Sequence, residues 1–344
     1  MTTPNKPRAL INCSAEEWNR VYHPETASKL QSILEFDSMW ASPVSGRSMP
    51  EEELLAQPGG SRVVLGTWWC GELTPRVLDR HPDLELIVHG AGSIKPFYNS
   101  AIAERGIKVC SAVHINAQPV AEFCLGNILA ALKDLCGWKN KLIADGREDG
   151  WNLLRYEFIG GYYKTKIGLI GFGEISKQLM KLLKGFDFEV FISSKYFSEE
   201  DEKEYGAKQA SMEWIMENCE VISLHSANTS VNRHMINGDN LKLMKDGAIF
   251  INTARGALVN ERDLVHSLRT QKITAYLDVT DPEPPSLDHP FYELPNCYLT
   301  PHISGSTSFE VYRLGDYVLR EIENFLANRP LENELCLEQV LSKA

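Results

Sequence analysis

Short apolar runs recur along the chain, and between them lie longer stretches whose apolar positions fall three or four residues apart. The runs are almost uninterrupted rather than alternating, which is the pattern of strands buried on both faces of a parallel sheet. Three lie early: Arg62–Gly66 (RVVLG), Leu84–His89 (LELIVH) and Ile107–Ser111 (IKVCS). Five lie later: Lys166–Ile170, Phe188–Ser193, Val221–His225, Ala248–Asn252 and Ala275–Val279. ELTPRVLDRHP, SAIAERG, Glu174–Lys184, ERDLVHSLRT and a closing stretch over 308–328 read as the covering helices, with Asn260 as an N-cap for the fourth. Val120–Leu135 is apolar enough for a buried connector or a subunit contact. The segment from Trp138 to Tyr163 is polar, aromatic and irregular, and SEEDEKEYG reads as a solvated loop or helix start. The alternation predicts an α/β protein built from doubly wound parallel sheets.

A length of 344 residues predicts two domains, and 43% hydrophobic with 24% charged residues is ordinary globular composition. The net charge of −11, with no basic block against it, points away from nucleic acid. There is no apolar run of membrane-spanning length, and MTTPNKPRALINCS lacks the apolar core of a signal peptide, so a cytoplasmic protein is expected. The eight cysteines are scattered without a C-x-x-C pair, which predicts free thiols and no metal site.

The first chemistry-bearing motif is GLIGFGEIS (168–176). A strand before it and a helix after it are the context of a dinucleotide turn. Gly171 would allow the tight turn and Gly173 the close approach of a pyrophosphate, which the amides of Glu174, Ile175 and beyond would face. Ser176 stands where a third glycine is usual. At the end of the next strand, VFISSKY carries no carboxylate to accept bonds from a ribose. Ser194 and Lys195 suit a 2′-phosphate instead, favouring NADP over NAD. The competing reading leaves Lys195 solvated and folds Glu199 or Glu200 back to the ribose.

INTARGALVNE (251–261), LDVTDPEP (277–284) and LTPHISGST (299–307) follow in the order and spacing of known C-terminal motifs, and VHGAGS (88–93) and NAQPVAEFCLG (116–126) fit with them. Together with the nucleotide turn they make most of the chain resemble the D-isomer-specific 2-hydroxyacid dehydrogenase family. The resemblance implies two Rossmann-like domains: a dinucleotide domain over 115–304 inserted in a split substrate domain, 1–114 with 305–344. It implies an NAD(P)-dependent, reversible reduction of a small anionic 2-keto acid to a D-2-hydroxy acid, and a homodimer. Position by position, the family's arginine, glutamate and histidine fall on Arg255, Glu283 and His302.

Those residue types suit the chemistry. An arginine fork grips a carboxylate, a histidine can exchange a proton with the substrate oxygen near neutral pH, and a carboxylate beside it orients the imidazole. The resemblance also places the amides of Ala91 and Gly92 on the substrate carboxylate, although Ile94 and Lys95 stand where an acid and an asparagine are frequent. It puts Asp278 on the nicotinamide carboxamide, Thr253 beside it, and His225 at the cofactor edge, with Ala227 where a proline is common. Trp68 and Trp69 read either as a wall limiting substrate size or as core packing. Two rival functions stay open: a cofactor-sensing regulatory protein, and a dehydrogenase of another small anion such as formate or phosphite.

Overall fold

A computed structural model of the chain describes residues 6–36, 46–138, 142–143 and 161–336. Two compact units emerge, one from 1–116 and 306–344, the other from 117–305.

The first unit holds a parallel sheet in the order β1 (Ala9–Asn12), β2 (Val63–Gly66), β3 (Leu86–His89), β4 (Lys108–Ser111). Successive side chains of a strand point to opposite faces, and the core divides accordingly. Ala9, Ile11, Val63, Leu65, Leu86 and Val88 pack on one face with Trp18 of α1 (Ala15–Val21), Leu30 of α2 (Pro24–Ile33) and the closing helix Tyr312–Leu326. Leu10, Val64, Ile87 and Val109 pack on the other with α3 (Glu51–Ala56), α4 (Pro75–Asp79) and α5 (Ser100–Glu104). The strand β1 (ALIN) and the helices beside it were not anticipated from the sequence.

The chain passes into the second unit within α6 (Val113–Ala131). This helix starts seven residues before the position expected from its apolar pattern. Pro119 lies inside it, and a proline normally marks a helix start because it lacks an N–H and crowds the preceding turn. Here Ala117, Pro119, Val120 and Ala121 are all buried, so packing outweighs that local cost. Most of the irregular stretch expected over 138–163 lies outside the described residues.

The second unit has seven parallel strands in the order β11-β10-β9-β8-β5-β6-β7. They are β5 (Lys166–Ile170), β6 (Glu189–Ser193), β7 (Lys208–Gln209), β8 (Val221–Leu224), β9 (Ile249–Asn252), β10 (Thr274–Leu277) and β11 (Cys297–Leu299). Connecting helices are α7 (Glu174–Leu183), α8 (Glu199–Tyr205), α9 (Met212–Asn218), α10 (Gly238–Leu241) and α11 (Glu261–Thr270). The charged run expected as loop or helix start forms α8 outright. Ser198 and Asp201 make a capping box at its head, and Gly206 closes it in a left-handed conformation. From β5 the chain first builds outward through β6 and β7, then returns to build the other way through β8. The strand order therefore reverses beside β5, and in open sheets of this kind ligands bind outside the carboxyl ends of the strands at such a reversal.

Candidate active site

The turn after β5 sits at that reversal. Gly171 has φ +105, and a Cβ on it would lie 2.7 Å from the backbone of His225 and Ser226, so only glycine fits. Ser176 occupies the place of the usual third glycine without loss. Fully buried, it donates from Oγ to the Gly171 carbonyl at 2.7 Å and closes the turn from the helix side. Gly173 caps α7 without any side-chain bond, and a Cβ on it would meet nothing within 4 Å. Open space therefore lies beside Gly173, at the head of a helix whose first-turn amides, Glu174 and Ile175, have no helical partners of their own. The turn fits a dinucleotide pyrophosphate, through helix N–H groups and the positive end of the helix dipole.

Next to the turn, β6 ends at Ser193. The Ser194 hydroxyl accepts from the Tyr196 amide at 3.2 Å and keeps its own proton to donate. Lys195 is exposed and lies over the Tyr196 ring at 5.1 Å. Among the described residues no carboxylate pairs with it, and Glu199 and Glu200 belong to α8 instead.

His225 follows β8 and is buried. Its Nε2 lies 2.9 Å from Ser223 Oγ, and burial lowers its pKa to about 4, so the ring is neutral. What it gives the turn is backbone, the wall against Gly171. Thr253 directs its hydroxyl to Cys124 Sγ at 3.3 Å and is buried. Asn252 shapes the turn that follows: its side chain accepts from the Ala254 amide and donates to the Arg255 carbonyl. Arg255 itself is exposed, with one N–H group bonded to the Ala254 carbonyl. The structure places no ion pair between it and Glu283 among the described residues.

Glu283 and His302 do meet. Glu283 Oε1 lies 2.6 Å from His302 Nδ1, with the two side chains 40% and 44% exposed. A carboxylate cannot donate, so Nδ1 carries the shared proton. His302 Nε2 has no partner among the described residues. His302 also has φ +53, an unusual conformation for a histidine. Asp278 holds it there. This buried carboxylate accepts from Thr300 Oγ1 at 2.6 Å, the Ile303 amide at 2.8 Å and the Ser304 amide at 2.9 Å, while its carbonyl accepts from the His302 amide. The resemblance puts Asp278 on the nicotinamide carboxamide; its Oδ1 accepts twice from the histidine loop, whereas its Oδ2 accepts only from Ser304 and has a lone pair to spare.

In the first unit, Ala91 and Gly92 follow β3. Their carbonyls accept from Ser111 Oγ, and their amides carry no bond among the described residues. Of the two tryptophans expected as a wall, Trp68 packs on the core beneath Arg20, whose guanidinium lies 4.8 Å from its ring. Trp69 differs: it has φ +59 and is 46% exposed.

The family description "D-isomer specific 2-hydroxyacid dehydrogenase, NAD binding domain" matches residues 125–304. YoaD of Bacillus subtilis, which bears a 2-hydroxyacid dehydrogenase name, is 31% identical over 294 residues, covering 84% of each chain. The glyoxylate reductase of Thermococcus litoralis is 29% identical over 289 residues, covering 83% of this chain and 85% of its own. The D-mandelate dehydrogenase of Rhodotorula graminis shares the fold, with a TM-score of 0.78 at 18% identity over 96% of this chain and 98% of its own. A nucleotide turn at the sheet reversal and a histidine bonded to a glutamate thus occur within a chain whose sequence and fold agree, and the chain belongs to the D-isomer-specific 2-hydroxyacid dehydrogenase family.

Proposed function

We propose that the chain reduces a small 2-keto acid to the D-2-hydroxy acid, reversibly, with NAD(P)H, and that Arg255, Glu283 and His302 carry the reaction. The His302–Glu283 bond supports this reading most directly. A bound nicotinamide supplies the hydride to the keto carbon. His302, through its unpartnered Nε2, delivers the proton to the keto oxygen as negative charge develops there. Glu283 fixes the tautomer by accepting from Nδ1 and stabilises the charged ring. Arg255, exposed and with most of its N–H groups unused, suits the substrate carboxylate. The free amides of Ala91 and Gly92 suit the same kind of group, which makes 1–114 with 305–344 the substrate domain and 115–304 the cofactor domain. A homodimer in the cytoplasm is part of the same reading.

NADP is the preferred cofactor in this proposal. Ser194 has a proton to donate and Lys195 a charge without a carboxylate partner, whereas a carboxylate at this strand end would repel a 2′-phosphate. A fluorescence titration exciting the seven tryptophans, first with NADPH and then with NADH, tests this. Lys195→Ala should weaken NADPH binding about tenfold and leave NADH almost unchanged, in line with the loss of one charge-assisted contact. Equal effects on both would remove the assignment. His302→Gln tests the chemistry: turnover on a panel of 2-keto acids should fall about 10²- to 10⁴-fold, the usual worth of a positioned acid–base group, with cofactor affinity retained. Unchanged turnover would end the reading of His302 as the acid, and absence of turnover in the wild type would favour a cofactor-sensing role.

A further inference from the structure

We infer that Glu261 and His289 form a clasp that positions Glu283 against His302, making Glu261 a positioning residue for the reaction. This rests on the roles proposed above for Glu283 and His302. Glu283 stands on the long connection between β10 and β11, and 40% of its side chain is exposed. Nothing in an exposed loop fixes a carboxylate by itself, yet its bond to His302 requires a defined place.

Glu261 is the first residue of α11, which is rooted in the core through Leu264, Val265 and Leu268. One of its oxygens, Oε1, accepts from the Asp281 amide at 2.8 Å. The other, Oε2, lies 3.5 Å from His289 Nε2, with the side chains of histidine and glutamate only 19% and 13% exposed. The tautomer is set from the other side of the ring, because His289 Nδ1 accepts from the Phe291 amide at 3.3 Å. The proton therefore sits on Nε2, facing Glu261. His289 is anchored in turn by packing on Phe291, whose ring is buried and centred 4.4 Å away. One carboxylate thus bonds the loop at 281 and packs beside it at 289, on both sides of Glu283.

A third contact fixes the same loop against the arginine. A Cβ on Gly256 would collide with the Thr280 carbonyl and the Asp281 amide, so the residue after Arg255 lies flush on the start of this loop. Arg233 also pairs with Asp281 at 3.1 Å, but with 57% and 38% of the side chains exposed this ion pair adds little. The hydrogen bond from the Asp281 amide to Glu261, made by a side chain that is itself only 13% exposed, carries the tether. Burial pushes the Glu261 carboxyl up from its usual range, which the Asp281 amide opposes. An acidic residue in the first turn of a helix is favourable by itself, so the clasp must be separated from simple helix stabilisation.

Non-additivity separates them. Glu261→Ala should lower kcat about 10- to 100-fold, the scale expected for a misplaced catalytic partner, with KM and cofactor affinity changed less than about twofold. Glu261→Gln keeps an oxygen for the Asp281 amide and should recover most of the loss. In a Glu283→Gln background, Glu261→Ala should cost almost nothing more. A readout without substrate runs in parallel: the far-downfield proton resonance of His302 Nδ1–H, abolished by Glu283→Gln, should broaden or vanish in Glu261→Ala. Should Glu261→Ala fail to fold, His289→Asn carries the same test, since asparagine can still cap Phe291 but cannot reach Glu261. Full multiplication of the two losses, or an unaltered Nδ1–H signal in the Glu261 and His289 variants, overturns the clasp. Unchanged turnover in Glu283→Gln alone would remove the role of Glu283 and the clasp with it.

Discussion

At the scale of single residues, the site depends on a histidine held in a backbone conformation that side chains avoid. A non-glycine residue at φ +53 costs about 1–3 kcal/mol, and Asp278 offsets this with three accepted hydrogen bonds around the loop. Asp278→Asn keeps the size and removes the charge. One of its two terminal atoms becomes a donor, and whichever it is it faces a backbone amide, Ile303 or Ser304, that must also donate, so a bond is lost. Denaturation should show a loss of about 1–3 kcal/mol, the usual cost of leaving a buried polar group unpaired. Turnover should fall more than cofactor affinity does, because the loop that moves carries His302. A variant with wild-type stability and turnover would mean that the loop holds itself without Asp278.

At the scale of elements, the strands were legible because both faces of each sheet are covered. VVLG, LIVH, IFIN and TAYL show unbroken apolar runs for that reason. The same logic explains what was not legible. β7 is a two-residue exposed strand, β11 is an edge strand with only partial burial, and α6 contains a proline that reads as a beginning. Within the site, motifs contiguous in sequence were readable, including the turn at Gly171 and the stretches around Arg255, Glu283 and His302. Pairings through space were not. Nothing local in LDVTDPEP shows that Asp278 accepts hydrogen bonds from residues more than twenty positions later, or that Glu261 reaches Asp281. The departure at Ser176 likewise looked like a tolerated loss of packing, and it is a hydrogen bond. Ser176→Ala removes that bond from the partly buried Gly171 carbonyl while leaving α7 intact. Dinucleotide affinity should weaken several-fold with helix content unchanged, measured by fluorescence titration and circular dichroism; unchanged affinity would mean that Gly171 and its contact with His225 set the turn alone.

At the scale of the whole molecule, acid stability should differ between the two units. His81 and His89 in the first unit and His225 in the second are buried, and burial lowers each pKa to about 4. His81 is further held neutral by accepting from the Ser61 amide through Nδ1. With folded pKa values near 4 and an unfolded value near 6.5, the unfolded chain binds more protons between these limits. The stability these histidines allow is therefore complete above about pH 6.5 and is lost as pH falls toward 4, by up to a few kcal/mol for each. His289, in the second unit, is lowered as well, but it is only partly buried and adds less. Among the described residues, two such groups against one predict that the first unit loses more stability between pH 7 and pH 5. Hydrogen exchange of the β1–β4 amides and the β5–β10 amides, converted to opening free energies so that the intrinsic pH dependence cancels, measures each sheet separately. The opening free energy of β1–β4 should fall further with pH than that of β5–β10, and His89→Gln should flatten the first slope without touching the second. A steeper loss in the second unit would show that its carboxylates, rather than buried histidines, govern the acid response.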